Sequence, residues 1–278
     1  METVINGLKT NRAFAITTFL VFLLIFGALA APALAPYDPT HATMQDAFLA
    51  PNGDHLFGTD KLGRDCFSRV LYGARASLSG VLLLVFTVFV VGTTMGVLSG
   101  YFGGRVDMVI MRLSDMMISF PGMILAIAVA GIMGGSLVNA VIALTIVSWT
   151  KYARLARSLV MKIKRRDFVD AAIVNGGNSA HILWIHILPN ILPLMVVTAA
   201  ADIGALMMEL AGLSFLGFGS QPPAPEWGLM LNEGRQQLQT APWLMVFPGL
   251  AIFVTVVIFN LWGDNLRDVL DPRNDVKD

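Results

Sequence analysis

The chain has 278 residues, of which 55% are hydrophobic and only 14% charged, where a soluble domain carries roughly a quarter charged. Its 19 basic and 19 acidic residues cancel, so no global basic field draws it to nucleic acid. A single cysteine, Cys66, excludes an intrachain disulfide and a Cys-rich metal site.

The apolar residues fall in four uncharged stretches: Ala13–Tyr37, Ala76–Gly104, Met116–Thr150 and Gln236–Gly263. About 20 apolar residues cross the hydrocarbon core as a helix, and backbone groups cannot go unpaired in lipid. Transmembrane strands would show short alternating segments instead. The expected fold is an all-α membrane protein with about six transmembrane helices.

The first span is expected at Phe14–Ala35, stopped by Pro36 and the turn-like Tyr37-Asp38-Pro39. Lys9, Arg12 and two Ala-x-Ala sites imitate a secretory signal, but the apolar run exceeds a signal core and five further spans follow. It is read as an uncleaved helix. A polar segment then runs to Arg75, and in it Phe67, Val70, Leu71 and Ala74 recur at helical spacing, as in a short amphipathic helix at the membrane surface.

The second span is expected at Gly80–Leu98. Gly92, Gly96 and Gly100 stack on one of its faces and would let another backbone approach closely. The third, Met116–Ile132, should be kinked by Pro121. After the turn Gly131–Ser136, a fourth follows at Leu137–Trp149. The charged stretch Lys151–His186 separates it from a fifth span at Ile191–Leu216. A Gly/Pro-rich loop, Gly217–Pro242, leads to the sixth at Trp243–Trp262. This organisation divides the chain into 1–75, with the first span, outer loop and interfacial helix, and 76–278, a five-helix core carrying the loop 151–189.

Fourteen of the 19 Lys and Arg residues lie on one side if the N-terminus is inside. The positive-inside bias therefore points to N-in and C-in.

The loop 151–189 is the most informative segment. Phe168–Asn175 can form a short helix, Gly176-Gly177 turns the chain, and Ser179–Ile185 can form a second short helix with apolar Ile182, Leu183 and Ile185. Such a pair at the membrane surface is a candidate socket for a partner protein. Within it, Asp170-Ala171-Ala172-x3-Gly176, followed by Leu188-Pro189, resembles the permease signature Glu-Ala-Ala-x3-Gly-x9-Ile-x-Leu-Pro of ABC importers. It departs from it in Asp170 for Glu and His186 for Ile.

The resemblance extends across nearly the whole chain. Gly58-Thr59-Asp60-x2-Gly63-Arg64-Asp65-x-Phe67-Ser68-Arg69, then Leu213-Ser214-Phe215-Leu216-Gly217-Phe218-Gly219 with Pro225-Glu226-Trp227-Gly228, and finally Asn260-Leu261-x-Gly263-Asp264 through Asp271-Pro272, are similar to the dipeptide/oligopeptide/nickel permease family. The resemblance implies a C-type permease in a prokaryotic inner membrane. It also implies a homologous B-type permease, two ATPase subunits and an extracytoplasmic binding protein as partners, with lipid around the spans. Coupling to the ATPases would then fall to Asp170, Ala171, Ala172, Gly176, Leu188 and Pro189. ATP and Mg would sit on the partners and no cofactor on this chain, since the Gly-Lys dipeptide of a phosphate loop occurs nowhere in it. No catalytic site is expected.

Asp202 and Glu209 lie inside the fifth span, seven residues apart and so nearly on one face. Intramembrane carboxylates face a wet pathway or a bundle interior. Two readings stand side by side: a route handling a cationic group, or a structural contact between helices. No metal ligand set is apparent, and the four histidines lie outside the long apolar stretches. Pro225, Glu226 and Trp227 are candidates for an outer gate or a binding-protein contact, with interfacial anchoring as the other role open to Trp227 and Trp243. The alternative class is a stand-alone secondary transporter or channel for a small cationic solute. It would show an inverted repeat with paired broken helices, and no such repeat is found.

Overall fold

In the computed structural model, which describes residues 11–270, the described chain is helical, with one isolated bridge between Thr59 and Asp65 in place of any strand. Lys9, Asp271, Pro272 and the last basic residues of the tail lie outside the described residues. Asn11 caps α1 (Arg12–Leu29) by accepting the Phe14 N–H at 3.1 Å. The chain resumes after Ala30 as α2 (Ala31–Leu34) and stops before Pro36. α1 packs on the last long helix: Phe14 is buried with Val197, Ala200 and Leu266, and the Trp262 indole donates to Thr18 Oγ at 3.1 Å.

Asp65 caps α3 (Cys66–Phe102), accepting the Ser68 N–H at 2.7 Å. At 1.5 Å per residue its 37 residues extend about 55 Å, well past a core of about 30 Å. The separate surface helix expected around Phe67–Ala74 is therefore the first two turns of α3. No proline interrupts the segment, and Gly73 packs under Trp227. Further along, α3 lies against α6 (Leu137–Ile163), the most extensive helix contact in the molecule. Gly92, Gly96 and Gly100 sit there on the backbone and Cβ atoms of Trp149, Tyr152, Ala153, Ala156, Arg157 and Val160. The close packing expected of the glycine row is what the structure shows.

The third expected span is not one straight helix. α4 (Gly104–Ile118) and α5 (Gly122–Met133) meet at a 95° bend. Pro121 disfavours helical backbone at Phe120 before it and itself caps α5. The 12 residues of α5 reach only about 18 Å. α6 in turn continues past Trp149, where a loop was expected. Its basic residues have partners that keep them on the helix: Arg157 grips Asp107 at 2.5 and 2.6 Å, and Arg154 meets Asp115 at 2.6 Å.

After α7 (Asp167–Val174) comes α8 (Ser179–Phe215), again 37 residues. The short helix expected at Ser179–Ile185 is its first part and not a separate element. A π-helical stretch, Ile182–Ile187, links the two. The Leu188 N–H reaches back to Leu183, and Pro189 has no N–H with which to restore the ordinary register. α9 (Trp227–Gly234) lies within the expected loop, and α10 (Trp243–Leu270) closes the bundle beside α8. By length and composition α1, α3, α8 and α10 can each cross a membrane, as can the bent pair α4–α5 taken as one crossing. α6 has the length, but its second half is charged.

Candidate functional site

The first candidate lies between α6 and α8. Gly92 of α3 lets α6 approach until a Cβ there would stand 2.5 Å from Tyr152 Cβ. That approach sets Tyr152 and Lys151 against α8. Lys151 Nζ contacts the two oxygens of Asp202 at 2.7 and 2.8 Å, and the Tyr152 hydroxyl donates to the same carboxylate at 3.1 Å. Two turns along α8, Glu209 receives only the Ser148 hydroxyl at 3.4 Å. Asp202 and Glu209 thus share one face, as the spacing predicts, and Lys151 joins them. Sequence reasoning missed Lys151 by ending the fourth span at Trp149. The available signal was the absence of any helix breaker between Trp149 and Lys151. On the other side of α8, Gly204 abuts the Asn260 side chain and Gly263 lies 2.6 Å, as a would-be Cβ, from Ala201 Cα. The closing motif therefore serves helix packing here.

The second candidate is at the α7 end of the bundle. α7 terminates in a left-handed cap: Gly176 takes φ +82°, its N–H bonds to Ile173 O, and the Gly177 N–H reaches Ala172 O, both at 3.0 Å. This paired closure is the Schellman arrangement, and it explains the Ala172-x3-Gly176-Gly177 spacing. Asn178 then caps α8 through the His181 N–H at 2.8 Å. Between the two helices is an open cleft of about 570 Å³, lined by Phe168, Ala171, Ala172, Gly176, His181 and His186. Buried Val169 fastens α7 down, while Asp170 and Ala171 are exposed. Val174 and Trp184 are 86% and 72% exposed. Leu188 and Pro189 lie inside α8, just beyond the π turn.

At the opposite end, Pro225 is half-buried, while Glu226 and Trp227 are buried. Glu226 caps α9, accepting the Gly228 and Leu229 N–H groups at 2.9 Å and the Ser77 hydroxyl at 3.0 Å. The Trp227 indole donates to Val70 O at 2.9 Å. In this conformation both side chains tie α9 to α3 and present no free contact surface; the exposed residues of this corner are Gln221, Pro222, Pro223 and Ala224. Beside them is a buried ion network. Arg64 meets Asp60 at 2.7 Å and Glu233 at 3.1 Å, and Arg69 meets Glu233 at 2.7 Å. The arginines are 2% and 1% exposed. The hallmark run Gly58–Arg69 thus closes the loop between α2 and α3 onto α9. Cys66 is buried with them. Among the described residues, no group of three or more His, Cys, Asp or Glu is placed to hold a metal ion.

The family model for the binding-protein-dependent transport system inner membrane component matches residues 92–276. The chain is 41% identical to the dipeptide transport system permease protein DppC of Alkalihalophilus pseudofirmus, over 96% of this chain and 88% of that one. It is 45% identical to the glutathione transport system permease protein GsiD of Pectobacterium atrosepticum, over 91% and 84%. It is 40% identical to the nickel transport system permease protein NikC of Escherichia coli, over 96% of each. A chain of the MetNI methionine ABC transporter, solved in inward-facing conformations, shares the fold with a TM-score of 0.56 at 20% identity. The match covers 72% of this chain and 96% of that one.

Proposed function

The chain belongs to the family of binding-protein-dependent transport system inner membrane components, and on that premise we propose how its parts divide the work of an importer. It is a multi-pass inner-membrane permease subunit of an ABC importer. The relatives are named for dipeptides, glutathione and nickel, and the substrate is drawn from that range.

In this reading ATP binding and hydrolysis belong to two partner ATPases, because the chain has no phosphate loop. A B-type permease and an extracytoplasmic binding protein complete the assembly. Asp170, Ala171, Ala172 and Gly176 receive the ATPase surface in the α7 cleft, and Leu188 and Pro189 pass its movement into the span. Asp202 and Glu209 line the route. The observation that carries the reading is the continuity of α8: one helix begins at the cleft and bears both carboxylates. Purified alone, the chain is expected to hydrolyse no ATP and to acquire turnover only with its ATPase partners. Sustained hydrolysis by the isolated chain, free of contaminating ATPase, would overturn the assignment.

The orientation follows from the basic residues at the α7 end: N-in and C-in with six spans, the bent pair and the apolar half of α6 each counted once. Thiol labelling in intact cells tests it, and buried Cys66 should contribute little background. Val174→Cys is expected to label only after permeabilisation and Gln236→Cys without it; both are exposed positions. Labelling from the same side would exclude this topology.

A further inference from the structure

The α6–α8 stripe has an uneven charge balance. Asp202 is matched by Lys151 at 2.7 Å and by the Tyr152 hydroxyl. Among the described residues Glu209 has no cation of its own, only Ser148 at 3.4 Å. One ammonium therefore serves two carboxylates, and the surplus negative charge rests on Glu209. Asp202 and Glu209 are seven residues apart on α8, which places Glu209 about 10 Å along the helix from the Asp202–Lys151 pair. The charges are not sealed in: the Lys151 side chain is 63% exposed and Glu209 is exposed.

We infer that this stripe is a transient station for a zwitterion, with Glu209 receiving its ammonium and Lys151 its carboxylate. Lys151 is then the specificity-determining residue. The inference rests on the importer reading above and adds a ligand-binding role to the route. A bare divalent cation drawn to the two carboxylates would be opposed by Lys151. An anion without an amine would be opposed by Glu209. A zwitterion about two residues long, up to roughly 7 Å between its ends, spans that gap with a hydrogen bond at each end, satisfying Glu209 and exchanging with Asp202 for Lys151. During that exchange Asp202 keeps the Tyr152 hydroxyl, so no charge is stripped of all its partners. Such a hold is weak enough to release, as passage through a membrane requires.

The test uses the chain purified with its partner subunits in lipid nanodiscs. Reductive methylation with ¹³C-formaldehyde keeps the lysine charge, and Lys151→Arg identifies the Lys151 resonance. L-Alanyl-L-alanine, titrated into the millimolar range, is expected to shift that resonance saturably. Glu209→Gln, or acetylation of the peptide amine, should raise the half-saturating concentration about tenfold, as expected for a lost charge-assisted contact. Four outcomes would overturn the station: no shift; an equal shift with acetate alone; broadening by Ni²⁺ alone at lower concentration than the peptide; or a Lys151 left unmethylated because a subunit contact covers it. Any of these alongside intact ATP-driven uptake by the same complex would leave the importer reading standing. Failure of the ATPases to associate would count against that reading instead.

Discussion

Valine at Gly176 is expected to abolish uptake while the chain still inserts and its outer loops stay closed. Gly176 takes φ +82°, and a Cβ built on it meets nothing within 4 Å. Steric collision is thus absent, and the effect lies wholly in the backbone. A left-handed residue with a β-carbon costs roughly 1–2 kcal/mol, and a β-branched one is a true outlier there. The bundle can absorb that cost, but the two bonds that close α7 cannot survive a change of φ, and the cleft is built on them. Asparagine, which tolerates this conformation, should retain much of the uptake. Asp170→Lys should fail for a different reason. It reverses an exposed charge in the first turn of α7, where the helix dipole effect is only about 0.3–1 kcal/mol, so loss of uptake would report the partner surface. Vesicle uptake together with ATPase co-purification measures both variants. Wild-type uptake by both would remove this segment from coupling.

Leucine at Gly96 is expected to prevent the bundle from assembling. A Cβ there would run into the Ala153 carbonyl oxygen and stand 2.7 Å from Ala156 Cβ. Backbone cannot step aside as a flexible side chain does, so α3 and α6 must separate along their whole contact. Overpacking of a core costs typically 1–3 kcal/mol, and more where nothing can repack. The loss should appear as a fall in folded yield and in the thermal midpoint of the purified protein. Gly27→Leu, at a position with nothing within 4 Å, is the matched control and should be neutral. A Gly96→Leu variant as stable as the Gly27→Leu control would mean that α3 and α6 are not held by this seam.

Much of this arrangement can be read from the residues. The apolar runs announce the long helices, the row Gly92, Gly96, Gly100 announces a close helix contact, and Gly176 announces a left-handed turn. These signals are local, each set by one segment's own solvation or sterics. The differences arise where a distant partner decides. Lys151, Arg154 and Arg157 read as a loop until Asp202, Asp115 and Asp107 neutralise them on α6. Arg69 reads as a surface charge until Glu233, 164 residues away in sequence, buries it. Glu226 and Trp227 look available for contact until Ser77 and Val70 engage them. Pro121 does more than kink its helix: α4 and α5 meet at a 95° bend.

The length of α8 has a mechanical consequence. Beyond its π-helical turn the 28 residues Leu188–Phe215 extend about 42 Å, so a tilt of about 10° at the near end sweeps the far end through roughly 7 Å. Glu209 lies 30 residues from the start of α8 and Asp202 only 23, so any rotation pivoting near the α7 cleft displaces the farther carboxylate more than the nearer one. Tilting would therefore shear Glu209 and Asp202 past α6 by unequal amounts, drawing Glu209 off Ser148 before Asp202 leaves Lys151.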